Sequence, residues 1–201
     1  MSDHLKKEAK QLPFFISYFI TDPLVFGDTK QNLEKNISNT LNKKKVDMIC
    51  FRDKISKDTE KLAKTVLDIS KKIGISKVVI NSNIPLAIKL KFDGVHLTSS
   101  QFDDIKKAKQ YDLFTIISCH NEDDIKRAKE KKADAVTYSP IFYKENKGKP
   151  KGIKDLKNMV KKYQDTNFRI IALGGIIDED HIKQIQSTQA SGFSSIRYFY
   201  V

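Results

Sequence analysis

The residues of this 201-residue chain best suited to chemistry are those that hold anions. Arg52 and Lys54 stand two apart, and Lys144, Lys147, Lys149 and Lys151 crowd one short segment. Gly174-Gly175 offers backbone N–H groups that no Cβ shields, and Ser194-Ser195-Ile196-Arg197 adds hydroxyls and a guanidinium. Amides and cations of this kind recognise phosphate. Each also has a plainer explanation: Gly174-Gly175 as a tight turn, the charged residues as an ordinary surface pair. His120, just ahead of an acidic run, is as suited to touching a ligand as to lying near a helix terminus. His96 lies inside an apolar segment and reads as a packed, hydrogen-bonded side chain rather than a base. Cys50 and Cys119 have neither zinc spacing nor a base partner in sequence.

The elements that must position these groups follow from apolar patterning. Short apolar segments recur at 15–20, 48–52, 78–81, 94–97, 114–118, 135–139, 169–173 and 192–196, each followed by a polar, helix-patterned stretch. Over 58–73, Leu62, Val66, Ile69 and Ile73 recur at three- and four-residue steps, which predicts an amphipathic helix. Asn121, followed by Glu122, Asp123 and Asp124, predicts the N-cap of another over 122–131. Eight strands alternating with helices predict a (β/α)8 TIM barrel spanning 1–201 as one domain, near the lower size limit of that fold. An open doubly wound sheet is the alternative, but its glycine-rich first turn is replaced here by Thr21-Asp22-Pro23. So little sequence follows the last strand that the eighth helix is expected to be absent or truncated. An extra N-terminal helix over 3–11, or a second subunit in a homodimer, is expected to cover the strand surface left bare.

Composition narrows the partners. With 37 Lys+Arg against 25 Asp+Glu, the net charge is +12, yet only Arg52, Arg127, Arg169 and Arg197 are arginines. The lysines are scattered along the chain, which reads as solvated helix faces and makes a nucleic-acid partner unexpected. A positive field still favours phosphorylated small molecules. No apolar run is long enough to cross a membrane, the N-terminus lacks a signal-peptide core, and two cysteines fit a reducing, cytoplasmic location.

In barrels of this kind the reactive residues sit at the carboxyl ends of the strands, and loops seven and eight are the usual phosphate site. That rule gathers Gly174, Gly175, Ser195, Ile196 and Arg197 into one anion cradle, and sets Arg52, Lys54 and the lysine-rich loop after strand six on another part of the rim. Two cationic clusters predict a ligand with two phosphate groups, or two phosphorylated ligands.

The same residues carry a family likeness. Tyr18-Phe19-Ile20-Thr21-Asp22, Phe51-Arg52-Asp53-Lys54, Ile80-Asn81 with Leu86-Ala87, and Phe92-Asp93-Gly94-Val95-His96-Leu97 occur in order. Ser118–His120, Ser139-Pro140-Ile141-Phe142 and Ala172-Leu173-Gly174-Gly175-Ile176 follow. In these motifs the chain resembles thiamine phosphate synthase and its relative, the thiazole tautomerase. The resemblance implies an enzyme of thiamine biosynthesis that joins a hydroxymethylpyrimidine diphosphate to a thiazole phosphate and releases pyrophosphate with the help of Mg²⁺. It further implies that Arg52, Lys54 and Asn81 hold the diphosphate and that Lys147 meets the leaving pyrophosphate. The thiazole phosphate would fall to Gly174, Gly175 and the turn from Ser195 to Arg197.

Three positions depart from the family pattern. Its metal-binding aspartates are replaced by Ser82, after the asparagine of strand three, and by Gln101; Asp103 and Asp104 are out of register and are expected to cap the next helix. The tautomerase histidine is replaced by Pro140, which moves no protons. Mg²⁺ normally takes carboxylate oxygens as well as phosphate oxygens, so lysines are left to stabilise the leaving group. The sequence therefore supports a divergent synthase, a non-catalytic phosphate-ligand binder or regulator of the same family, or, least well, a nucleic-acid binder.

Overall fold

Eight parallel strands close into a barrel in chain order in a computed structural model that describes residues 11–145 and 148–201. The helix expected over 3–11 lies, but for Gln11, outside the described residues. The strands are β1 (Ile16–Ile20), β2 (Met48–Phe51), β3 (Lys77–Asn81), β4 (Gly94–Leu97), β5 (Phe114–Cys119), β6 (Ala135–Tyr138), β7 (Arg169–Leu173) and β8 (Gly192–Ser195). Closure is made by β1 and β8, in register from Ile16↔Gly192 to Phe19↔Ser195. The barrel expected from the sequence is the one observed.

Alternation along each strand sorts side chains into two cores. Ile16, Tyr18, Ile20, Met48, Cys50, Val79, Ile116, Ala135 and Ile171 fill the barrel interior. The intervening residues, such as Phe19, Ile49, Phe51, Ile80, Val95 and Phe193, point outward and pack beneath the helices. Two helices fill the first crossover, α1 (Pro23–Phe26) and α2 (Lys30–Lys43). The rest follow singly: α3 (Thr59–Ile73), α4 (Ile84–Leu90), α5 (Asp104–Gln110), α6 (Glu122–Glu130), α7 (Gly152–Tyr163) and α8 (Glu179–Gln186).

Local signals explain most helix ends. Asn121 accepts a hydrogen bond from the Asp124 amide, as an N-cap should. Asp58 caps α3 only by position, and Gly74 ends that helix in the left-handed conformation. The buried stripe of α3 runs through Leu62, Ala63, Val66, Leu67 and Ser70, so Ile73 stands 46% exposed. Asp103 does not cap α5 with its side chain as expected; it reaches Lys131 and Arg127 instead.

After β8 the chain makes only a 3-10 turn, Arg197–Phe199, so no eighth crossover helix follows within these residues. The outer faces of β1 and β8 are nevertheless covered. Phe199 is fully buried, with its ring 5.1 Å from Phe19 and stacked 5.9 Å from Phe193. The chain's own aromatic residues thus cover this part of the strand surface.

Candidate active site at the barrel mouth

Strand polarity brings the carboxyl ends of all eight strands to one rim. A hollow of about 380 Å³ opens there, and Arg52, Lys54, Asn81, His120, Lys144, Gly174 and Ile196 all line it. Gly175, Ser195 and Arg197 line a small cleft of about 40 Å³ that shares Lys144, Gly174 and Ile196 with the hollow. Ser82 lines a third recess, on the other side of Lys54 and Asn81. The hollow, the cleft and the recess beside them thus take in the expected site residues except Lys147, which lies outside the described residues, and Lys149 and Lys151, which line none of the three; Lys151 lies over the Tyr138 ring instead.

Arg52 is fixed from several directions. Its backbone N–H donates to the Thr21 hydroxyl, which donates in turn to the Arg52 carbonyl, tying the ends of β1 and β2 together. Its guanidinium pairs with Asp22, whose other oxygen caps α1 through the Leu24 amide. Lys54 is exposed and makes no ion pair among the described residues. Asn81 donates its amide to the His96 carbonyl, joining β3 to β4.

The floor of the hollow is polar but uncharged. His96 is 3% exposed; its Nδ1 lies 2.9 Å from the Tyr18 hydroxyl, and its Nε2 lies 3.1 Å from Ser118 and 3.2 Å from Thr137. Burial, reinforced by the nearby Arg52 charge, pushes the imidazole down to about 4. His96 is thus the packed histidine anticipated from the sequence. Burial also pushes the Cys50 thiol up to about 12, so it is no nucleophile.

His120 is exposed at the rim, with Nδ1 3.2 Å from the Ser139 carbonyl oxygen. The Ser139 hydroxyl lies 3.3 Å from the same Nδ1, so Ser139 offers that nitrogen an acceptor and a donor and suits either tautomer. Among the described residues no protein group meets the ring's Nε2.

The cradle after β7 and β8 depends on glycine. Gly174 and Gly175 have φ of 97° and 73°. A Cβ on Gly175 would lie 2.6 Å from the Tyr143 carbonyl, so the turn is both left-handed and pressed against the β6 loop. The Gly175 and Arg197 amides meet no acceptor among the described residues. The Ser195 hydroxyl, by contrast, donates to the Ile176 carbonyl and accepts from the Tyr198 amide. Those bonds shape the turn and leave backbone amides and the exposed Arg197 as the groups open at the cleft.

The residues present do not build the Mg²⁺ site the family likeness implies. Among the described residues no cluster of three His, Cys, Asp or Glu side chains could hold a metal. The carboxylates near the mouth are engaged by fixed donors: Asp22 by Arg52, Asp53 by the Ile55 and Ser56 amides, Asp104 by Gln101. Gln101 also sends an N–H to the Ser82 carbonyl, so a hydrogen-bond donor sits between the two oxygens.

Sequence reasoning did not single out Thr98, Ser99, Ser118, Ser139, Pro140 or Leu173 as site residues, yet all line the hollow. Their only signal was their place at strand ends. A recess of about 470 Å³ between α5 and α6 is larger, but Lys106 and Lys109, which line it from α5, and Lys131 and Lys132, just past the end of α6, stand away from the strand ends.

The fold and rim together define a (β/α)8 barrel with a cation-lined mouth at its strand ends. The sequence model of the thiamine monophosphate synthase family matches residues 17–199, and the chain belongs to that family. It is 34% identical over 188 residues to "Putative thiamine-phosphate synthase 2" of Aquifex aeolicus, covering 90% of this chain and 96% of that one. It is 31% identical over 151 residues to the thiamine-phosphate synthase of Proteus mirabilis, covering 73% and 67%. A thiamine phosphate pyrophosphorylase structure from Pyrococcus furiosus superimposes with a TM-score of 0.72 over 90% of this chain and 85% of that one. At 16% identity that likeness concerns the fold. No helix among the described residues is long and apolar enough to cross a membrane.

Proposed function

We propose that this chain is a thiamine phosphate synthase-type transferase. The methylene carbon of hydroxymethylpyrimidine diphosphate loses its bond to oxygen, and pyrophosphate leaves with the electron pair. The ring nitrogen of the thiazole phosphate gives its lone pair to that carbon, forming the new C–N bond. The observation that carries the reading is the convergence of Arg52, Lys54, Asn81 and Lys144 on one hollow joined to the Gly174-Gly175 cleft.

In this reading Arg52 and Lys54 hold the diphosphate and take up charge as pyrophosphate departs. Lys147 is assigned to the same leaving group by the family likeness alone. The amides of Gly175 and Arg197 receive the thiazole phosphate, which orients the attacking ring. His120 turns its Nε2 to a hydrogen-bonding group of the pyrimidine, and His96, uncharged near neutral pH, shapes the floor.

The Gln101 and Ser82 arrangement favours a second reading, a family member that binds phosphorylated ligands without turnover. A pyrophosphate-release assay with both substrates separates the two. Release that is lost in Arg52→Gln supports the transferase; saturable binding of both substrates without release supports the second reading. A nucleic-acid role finds little support, since Arg52 is paired with Asp22, Arg169 donates to the Pro13 carbonyl, and Arg127 lies over the Phe102 ring.

A further inference from the structure

Gln101 occupies the gap between the loops that follow β3 and β4. Its Nε2 donates to the Ser82 carbonyl at 3.2 Å and to the Asp104 carboxylate at 3.0 Å. Its Oε1 accepts from the Thr98 amide and the Thr98 hydroxyl, both at 3.1 Å. One planar amide therefore satisfies two oxygens on one side and two donors on the other, and no atom of it is left to bind a ligand. Ser82 adopts φ of 61°, so its carbonyl is held in place by a strained residue as well as by that bond.

Two oxygens, the Ser82 carbonyl after β3 and a carboxylate at the start of α5, facing a common centre make the kind of gap that a hard cation fills. Here the centre is an N–H donor. We infer that the Gln101 carboxamide does the work of a bridging cation, so that this mouth takes up a pyrophosphate group without a divalent metal. The inference rests on the proposed assignment of a diphosphate to Arg52 and Lys54. Those two side chains supply the positive charge, and Gln101 is a positioning residue that keeps Ser82, and with it the end of β3 at Asn81, in place.

The test is calorimetric titration of the full chain with inorganic pyrophosphate in EDTA. Saturable binding in EDTA, weakened by Arg52→Gln, is the expected result. Binding that appears only when Mg²⁺ is supplied overturns the inference while leaving the diphosphate assignment intact. No binding in either condition overturns the assignment itself. A second arm uses Gln101→Asp, which removes the amide donor and sets a carboxylate beside Asp104. Its affinity in EDTA is expected to fall about tenfold and to recover with Mg²⁺, whereas Gln101→Glu, still lacking the donor, also falls in EDTA. Gln101→Asp binding as tightly as the wild type in EDTA would overturn the bridging role.

Discussion

Arg52 and Asp22, 30 residues apart in sequence, meet at the barrel mouth as an ion pair beside the proposed diphosphate site. Both side chains are mostly shielded, at 27% and 17% exposure, so the carboxylate competes for the guanidinium with any incoming phosphate. Asp22→Asn keeps a capping side chain for α1 but removes the competing charge. Pyrophosphate affinity is expected to rise about threefold in Asp22→Asn and to fall about tenfold or more in Arg52→Gln, measured by calorimetry. A loss of affinity in both variants would show that Asp22 orients Arg52 rather than competing for it.

Lys54 provides a comparison between the rim and the outer surface. Lys54→Ala is expected to weaken pyrophosphate binding by about tenfold. Lys132→Ala, in the larger recess between α5 and α6, should leave it unchanged to within about a factor of two. Equal effects would point to the overall +12 charge, not to a built site.

His96 gives stability a pH dependence of defined sign. Its folded value of about 4 lies below the ordinary 6.5, so the unfolded chain binds the extra proton in between. Stability from this residue is therefore full above 6.5 and lost as the pH falls toward 4, by up to roughly 3 kcal/mol. Urea unfolding across that window should show a steeper loss for the wild type than for His96→Gln. Parallel curves would mean that the imidazole is charged in the folded protein.

Gly175→Ala tests the cradle. The added Cβ meets the Tyr143 carbonyl at 2.6 Å in a left-handed backbone, so a destabilisation of about 2 kcal/mol is expected. Weakened binding of the thiazole phosphate should accompany it, with pyrophosphate affinity changing less. Loss confined to pyrophosphate would reverse the assignment of the two anion sites.

The aromatic closure of β1 and β8 predicts that Phe199→Ala costs about 3 kcal/mol or more, because the ring is fully buried against Phe19 and Phe193. Equilibrium unfolding measures this directly. A cost below about 1 kcal/mol would mean that the turn adds little to the barrel.

The barrel was legible because each strand is a short apolar run bounded by polar residues, a pattern dictated by burial on both faces. Strand ends were less so: Arg52, Ser139 and Ile196 lie just beyond the ladders, where strands splay into loops. The rim was legible through one rule, that strand ends meet, which brings Arg52, Lys54, Asn81 and Gly174 to one hollow. Pairings set by closure were not. Nothing local links Asp22 to Arg52 or Gln101 to Ser82, and the Ser195 hydroxyl was free to face an anion until the Ile176 carbonyl claimed it. Phe199 likewise finds its partners only when β8 returns to β1.

A crystal of the protein soaked with pyrophosphate addresses the central claim most directly. The account predicts the anion at the mouth, with its oxygens on Arg52 and Lys54. Pyrophosphate bound instead among Lys106, Lys109 and Lys131 between α5 and α6, with the mouth left to solvent, would contradict it.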